Sequence, residues 1–261
     1  MPDAPDRSAP EPHADTGRAE LAAKAAQRAA ERPVVRADAD GFRLELGGKP
    51  LKTPAGFDLR LPTRGLAEAI AAELGDAPVQ ALKNFAAIPN LRFAATAIDR
   101  VAQAREATVE SVAAYGEADL LCYRAERPAE LVAREQAAWQ PLLDWAAMRY
   151  GALLICGHGI SYVPQQPVAL AALRKAVAAQ DDMALTGLAI AVQITGSLVL
   201  GLALLDGRID SDEAFKLAEL DASYQIEKWG EDAEAAAQRA ARRKDLAEAA
   251  AYLRLLRPDA V

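Results

Sequence analysis

Met183 to Leu205 reads MALTGLAIAVQITGSLVLGLALL and contains no charged residue. The interpretation of this stretch decides the fold. By length alone it is able to span a bilayer as one helix. Three features point elsewhere. Gln193, Thr195 and Ser197 place polar groups in its middle, where lipid offers them no partner. Thr195-Gly196-Ser197 is turn-like. Asp181, Asp182 and Asp206 flank the stretch, with neither an aromatic belt nor an adjacent Lys/Arg cluster. Two short helices are therefore expected, about 182–194 and 196–206, apolar on most faces because they are buried inside a helical domain. A membrane-associated helical protein is the alternative reading.

Working outward, helical texture continues on both sides. Candidate helices cover about 90–103, 105–117, 128–149, 166–179, 210–229 and 231–256. Pro128 suits a first helical position, and Pro141 is expected to kink or restart its helix. In AFKLAELDASYQIEKWG, the residues Phe215, Ala218, Ala222, Ile226 and Trp229 recur at three- and four-residue spacing, which predicts a buried stripe ended by Gly230. The last helix opens on Glu231, Asp232 and Glu234 and later carries Arg242, Arg243 and Lys244, a polarity that complements the helix dipole.

Toward the N-terminus the texture changes. FRLELGGKPLKTPAGFDLRLP alternates apolar residues at Phe42, Leu44 and Leu46, then turns at Gly47-Gly48. A second extended piece around Leu51 to Thr53 precedes a Pro54-Ala55-Gly56 turn, and Leu59 and Leu61 alternate after it. This predicts a small antiparallel meander. Thr63 then caps a helix bearing Leu66, Ala69, Ile70 and Leu74 on one face, with Gly75 at its C-terminal cap. The expected fold class is α+β: an N-terminal β-rich domain over 33–88, then a larger all-α orthogonal bundle over 89–261. Residues 1–32 are expected to be a tail. Its first part is rich in Pro and charge and reads as disordered; RAELAAKAAQRAAER reads as a helix with an Ala face that anchors little. The tail lacks the apolar core of a secretory signal, and Asp3, Asp6, Glu11 and Asp15 argue against a transit peptide.

Composition narrows the function. Hydrophobic residues make up 52% of the chain, but alanine carries much of that share and aromatics are only 5%, which favours close-packed helices. The net charge of -7 and the lack of a Lys/Arg stripe argue against nucleic acid, because phosphate neutralisation needs a basic face. Cys122 and Cys156 both sit in apolar settings and read as buried small hydrophobes. His13 lies in the tail, so His158 is the single centre for a metal site or a nucleophilic relay. Within Cys156-Gly157-His158-Gly159 it has no second ligand at metal spacing and reads as a loop histidine. Gly47-Gly48-Lys49 lacks the spacing of a phosphate loop. Asp181-Asp182 and Glu231-Asp232 read as helix-dipole partners more readily than as paired catalytic carboxylates. No metal, cofactor or small-molecule substrate is indicated. A carboxylate-based enzyme is the rival, and it requires a concave pocket holding acids with strongly perturbed pKa values.

Several segments together carry a resemblance: GGKPLKTPAGFDLRLPT, then ATAIDR at 95–100, then ADLLCYRAERPAELVAREQAAWQPLLDWA, then GSLVLGLAL, and finally SYQIEKWGED. In order and spacing they are similar to the assembly chaperones of the F-type ATP synthase head that bind its α subunit, found in mitochondria and α-proteobacteria. The likeness runs from Phe42 to Asp232. One departure is Ala95, where the family usually has Asn. The resemblance implies a β-rich N-terminal domain and a helical C-terminal one. It implies a non-catalytic chaperone that binds the unassembled α subunit until β joins. The Ala-rich composition and the tail without targeting features point to the bacterial cytoplasm, with the mitochondrial matrix as the location in a eukaryote. The resemblance points to Glu227, Glu231 and Asp232 as polar client contacts, with Trp229 fixing the helix end. The competing reading places Trp229 in the core and leaves the acids as exposed caps. Asp119 and Arg124 are expected to support the fold, and Asp99 and Arg100 to form an internal ion pair.

Overall fold

The computed structural model describes residues 32–76, 88–159 and 161–257; the expected tail helix lies outside them. The chain opens as the meander that its alternation predicts. Strands β1 (Val34–Asp38), β2 (Gly41–Leu46), β3 (Lys49–Pro50) and β4 (Arg60–Leu61) form one antiparallel sheet. β1 pairs with one edge of β2, with Val34 opposite Glu45, while β3 and β4 share the other edge. The β2–β3 turn needs positive φ at both central residues, and Gly47 (58°) and Gly48 (75°) provide it. The second extended piece starts earlier than expected, at Lys49, and Lys52 and Asp58 make an isolated bridge beyond it.

Helix α1 (Arg64–Asp76) begins where Thr63 Oγ1 accepts the amide of Leu66, the expected N-cap. Gly75 lies within its last turn instead of ending it. Leu66, Ile70 and Leu74 pack under Leu44, Leu59 and Leu61. The same core takes in Phe93, Met183 and Tyr252 from the helical part, so the sheet rests directly on the helices.

The helical part comprises α2 (Pro89–Thr96), α3 (Arg105–Ala113), α4 (Ala129–Tyr150), α5 (Pro167–Ala178), α6 (Asp182–Thr195), α7 (Leu198–Asp206), α8 (Ser211–Ala218), α9 (Leu220–Trp229) and α10 (Ala233–Leu255). A π-helical turn at Ala97–Val101 and a short 3-10 turn carry α2 into α3. Strands β5 (Tyr123–Arg124) and β6 (Gly157–His158) form a short parallel pair. His158 therefore lies in a strand, exposed, and not in a loop. Cys122 and Cys156 are both free thiols, the first buried and the second half-buried.

The deciding stretch is two helices, broken where Thr195-Gly196-Ser197 predicts. Gly196 takes a left-handed φ of 69° to close α6, and Ser197 Oγ accepts the amide of Leu200 to open α7. α6 is buried against α2, α3 and α10, and α7 against α4, α8 and α10. Among the described residues, no helix is long and apolar enough to cross a membrane. The break is held from outside as well. Asp119 is fully buried, and its carboxylate accepts Ser197 Oγ (2.7 Å), Val199 N (3.0 Å) and Leu121 N (3.1 Å). Burial pushes its pKa above the ordinary value against the pull of those bonds.

Three expectations are corrected. Pro141 does not restart α4, which runs unbroken from Ala129 to Tyr150. It lies on the exposed side, as does Ala137, whose carbonyl loses its helical donor to solvent, while Trp139, Leu142 and Leu143 hold both flanks in the core. The helix expected over 210–229 is two helices. Glu219 breaks it, buried between Arg239 (3.4 Å) and Arg242 (2.7 Å) of α10. The break resets the helical phase, so Tyr224 is buried whereas Ala222 and Trp229 face solvent. Asp99 does not pair with Arg100; its carboxylate accepts Thr53 Oγ1 and Ala55 N, tying the π-helical turn to the meander.

Candidate binding surface

Helix α4 presents its N-terminal half to the C-terminal half of α9. Glu130 accepts from Arg134 (2.8 Å) on its own helix and from Lys228 (3.1 Å) on α9. Arg134 also reaches Glu227 (2.7 Å). The Tyr224 ring lies beneath both cations, 5.3 Å from the Arg134 guanidinium and 5.0 Å from the Lys228 ammonium. The hydrogen bond from Lys228 holds the Glu130 carboxyl below its usual range; the same bond raises Lys228, and the bond to Glu227 raises Arg134. These pairs are exposed to water and contribute little to stability. Their effect is to fix side-chain positions on one face.

Underneath lies a buried layer. Arg124 Nη1 donates to the Glu135 carbonyl (2.7 Å), and its guanidinium covers the Trp139 ring at 5.2 Å. Trp139 Nε1 donates to the Leu217 carbonyl (2.9 Å), which docks α4 on α8. Arg124 and Asp119 are thus both interior supports. Glu135 is fully buried, and its Oε2 accepts the amide of Ala125 (2.7 Å). Burial first, then Asp221 nearby on α9, pushes the Glu135 pKa up to about 7.

The four residues expected at the client surface stand close in the fold but in different roles. Glu227 is engaged in the cluster with Arg134. Trp229, the last residue of α9, is 75% exposed, so it is not core. Asp232 caps α10 by accepting the amides of Glu234 and Ala235. Glu231 lines a shallow cavity of about 240 Å³ with Phe215, Lys216, Ala236, Arg239, Ala240 and Arg243.

A second group of exposed apolar side chains escapes a reading of the sequence. Met148 (82%), Leu153 (73%), Tyr162 and Val168 face solvent between the end of α4 and the start of α5. Gly151 closes α4 with a left-handed φ of 74°, and after it Ala152 and Leu154 are buried while Leu153 and Ile155 face outward. The buried Gln165 side chain holds that segment, accepting from Ile155 N and donating to Ile155 O, both at 2.8 Å. The alternation Ala-Leu-Leu-Ile is too short and too uniformly apolar to assign a face without the structure. Glu130 and Met148 are eighteen residues apart on α4. At about 100° per residue that is five whole turns and ~27 Å, so one helix face joins the charged cluster to the apolar group.

Among the described residues, no group of three His, Cys, Asp or Glu side chains is arranged to hold a metal ion. A cavity of about 370 Å³ is lined by Asp181 and Asp182. Asp181 caps α6 through Ala184 N (2.8 Å) and Asp182 pairs with Arg105 (2.6 Å), so both acids are committed to the fold.

The ATP12 chaperone protein family matches residues 24–147. Two solved structures of Atp12 from Paracoccus denitrificans, one a point mutant, superpose with a TM-score of 0.82 each. They are 40% and 39% identical, each covering 86% of this chain, and 96% and 95% of their own chains respectively. The Agrobacterium tumefaciens protein Atu1473, described as a candidate chaperone, is 36% identical with a TM-score of 0.79, covering 96% of this chain and 93% of that chain.

Proposed function

The chain belongs to the ATP12 chaperone family of ATP synthase assembly factors, and from that premise we propose that it binds the unassembled α subunit and keeps it soluble until β joins. An unassembled subunit exposes the apolar surface that its partner will bury, and such a surface aggregates unless covered reversibly. In this reading the client lies along the exposed face of α4. Trp229 meets it at one end and Met148 with Leu153 at the other, while Glu227, Glu231 and Asp232 supply the polar rim. The carrying observation is Trp229. A tryptophan left three-quarters exposed beside fixed charges has the make-up of an interface anchor.

The role is one of binding without catalysis, cofactor or small-molecule substrate, in the bacterial cytoplasm or, in a eukaryote, the mitochondrial matrix. Light scattering of isolated α subunit tests it. Equimolar chaperone is expected to suppress aggregation of α, and unchanged scattering across a range of ratios would reject the proposal.

A further inference from the structure

Glu135 and Asp221 bring two carboxyl groups together from different helices, in the interior beneath the charged cluster. Glu135 Oε2 is satisfied by Ala125 N, but Oε1 is buried with no hydrogen-bond partner. Asp221 Oδ1 is likewise buried and without a partner. The two groups are within hydrogen-bonding reach of each other. Ionised carboxylates only accept, so two facing oxygens need a hydrogen between them. The neighbouring cation does not supply one: Arg124 Nη1 is on the Glu135 carbonyl, Nη2 faces Cys156 Sγ at 3.9 Å, and Nε has no partner.

We propose that Glu135 and Asp221 share a single proton between Oε1 and Oδ1, and that this proton latches α9 to α4. The remaining charged groups around the pair are engaged elsewhere. Glu130, Arg134, Glu227 and Lys228 pair among themselves over Tyr224. From α10, Arg239 is turned to Ser223 and Glu219. The pair is therefore a proton-binding site of the folded chain, independent of any client.

The sign of the pH dependence follows. Glu135 in the fold titrates near 7, above its ordinary value of 4.5. The proton's contribution is complete below that ordinary value, declines as pH rises, and is lost above about 7. One proton bound on folding makes the folding constant fall by up to about tenfold per pH unit between those limits. Above about 7 the shared proton is gone, the latch opens, and α9 loosens from α4 with Trp229 at its end.

Infrared spectroscopy of the whole chain reads the proton directly. At pH 6 a protonated-carboxyl carbonyl band is expected that vanishes by pH 8.5. In Glu135→Gln and Asp221→Asn, an amide donates in place of the proton, so each variant should fold, lack that band and lose the steep pH slope in urea melts. A wild-type band untouched by either substitution would overturn the proposal, as would a variant slope equal to the wild type's. Should the variants not fold, carbon-13 labelling of glutamate in the wild type decides. A Glu135 carboxyl signal titrating between pH 6 and 8 supports the shared proton, and one ionised throughout refutes it.

Discussion

Removing the Asp119 side chain should cost the helical part a large share of its stability, because that carboxylate fixes the break between α6 and α7. Its three donors are Ser197 Oγ, Val199 N and Leu121 N, at 2.7 to 3.1 Å, and the site is closed to water. In Asp119→Ala the Ser197 hydroxyl can rotate while still accepting Leu200 N (3.0 Å), so the two backbone amides set the loss. At about 1–3 kcal/mol for each buried donor left unpaired, the expected cost is about 2–6 kcal/mol. That is a substantial part of the ~5–15 kcal/mol a domain has in total. Asp119→Asn keeps the shape but turns an amide N–H toward one donor, and should cost about half as much. Urea denaturation measures both, as a lower midpoint with an unchanged slope. Ser197→Ala and the double variant complete a cycle, in which the two losses should sum to more than the double variant's. An Asp119→Ala protein within about 1 kcal/mol of the wild type would refute the reasoning, since a buried network of this kind cannot be lost so cheaply.

The remaining expectations concern packing and surface. Glu219→Gln should lower stability by about 1–2 kcal/mol in chemical denaturation, because it weakens the two arginine contacts at the α8–α9 break while their half-exposed guanidinium groups keep water. Gly187 sits where α6 crosses α10, and a Cβ there would lie 2.6 Å from Leu253 Cδ2. Gly187→Val should therefore overpack the crossing, cost about 1–3 kcal/mol and lower Tm measured by calorimetry. Trp229→Ala should leave stability within about 0.5 kcal/mol, since the side chain is largely in water already. A drop in Tm of many degrees would return Trp229 to a structural role.

Much of the fold is legible because its signals are local. Paired glycines at 47–48 name a hairpin turn, Thr63 and Ser197 act as caps on the backbone beside them, and the Gly196 break lies in its own polar interruption. The misread features depend on distant partners. Glu219 breaks a helix whose apolar period continues across it, and the reason lies on α10 in Arg239 and Arg242. With the phase reset, periodicity misassigns Trp229 to the core, and Tyr224 takes the buried place. Pro141 is tolerated because it happens to face water. Of the surface, the acids at 227, 231 and 232 are candidates through resemblance alone. The apolar group at Met148 and Leu153 carries no period that separates it from core, and the Glu135–Asp221 pair is assembled from positions eighty-six residues apart.

Isolated α subunit, mixed with this chain and resolved by size-exclusion chromatography, tests the central claim most directly, with β alone as the control. A one-to-one complex with α is expected, none with β, and release of the chaperone when β is added. Trp229→Ala, folded as well as the wild type, should bind α more weakly by about tenfold or more. Separate elution of folded chaperone and folded α at micromolar concentration would contradict the account.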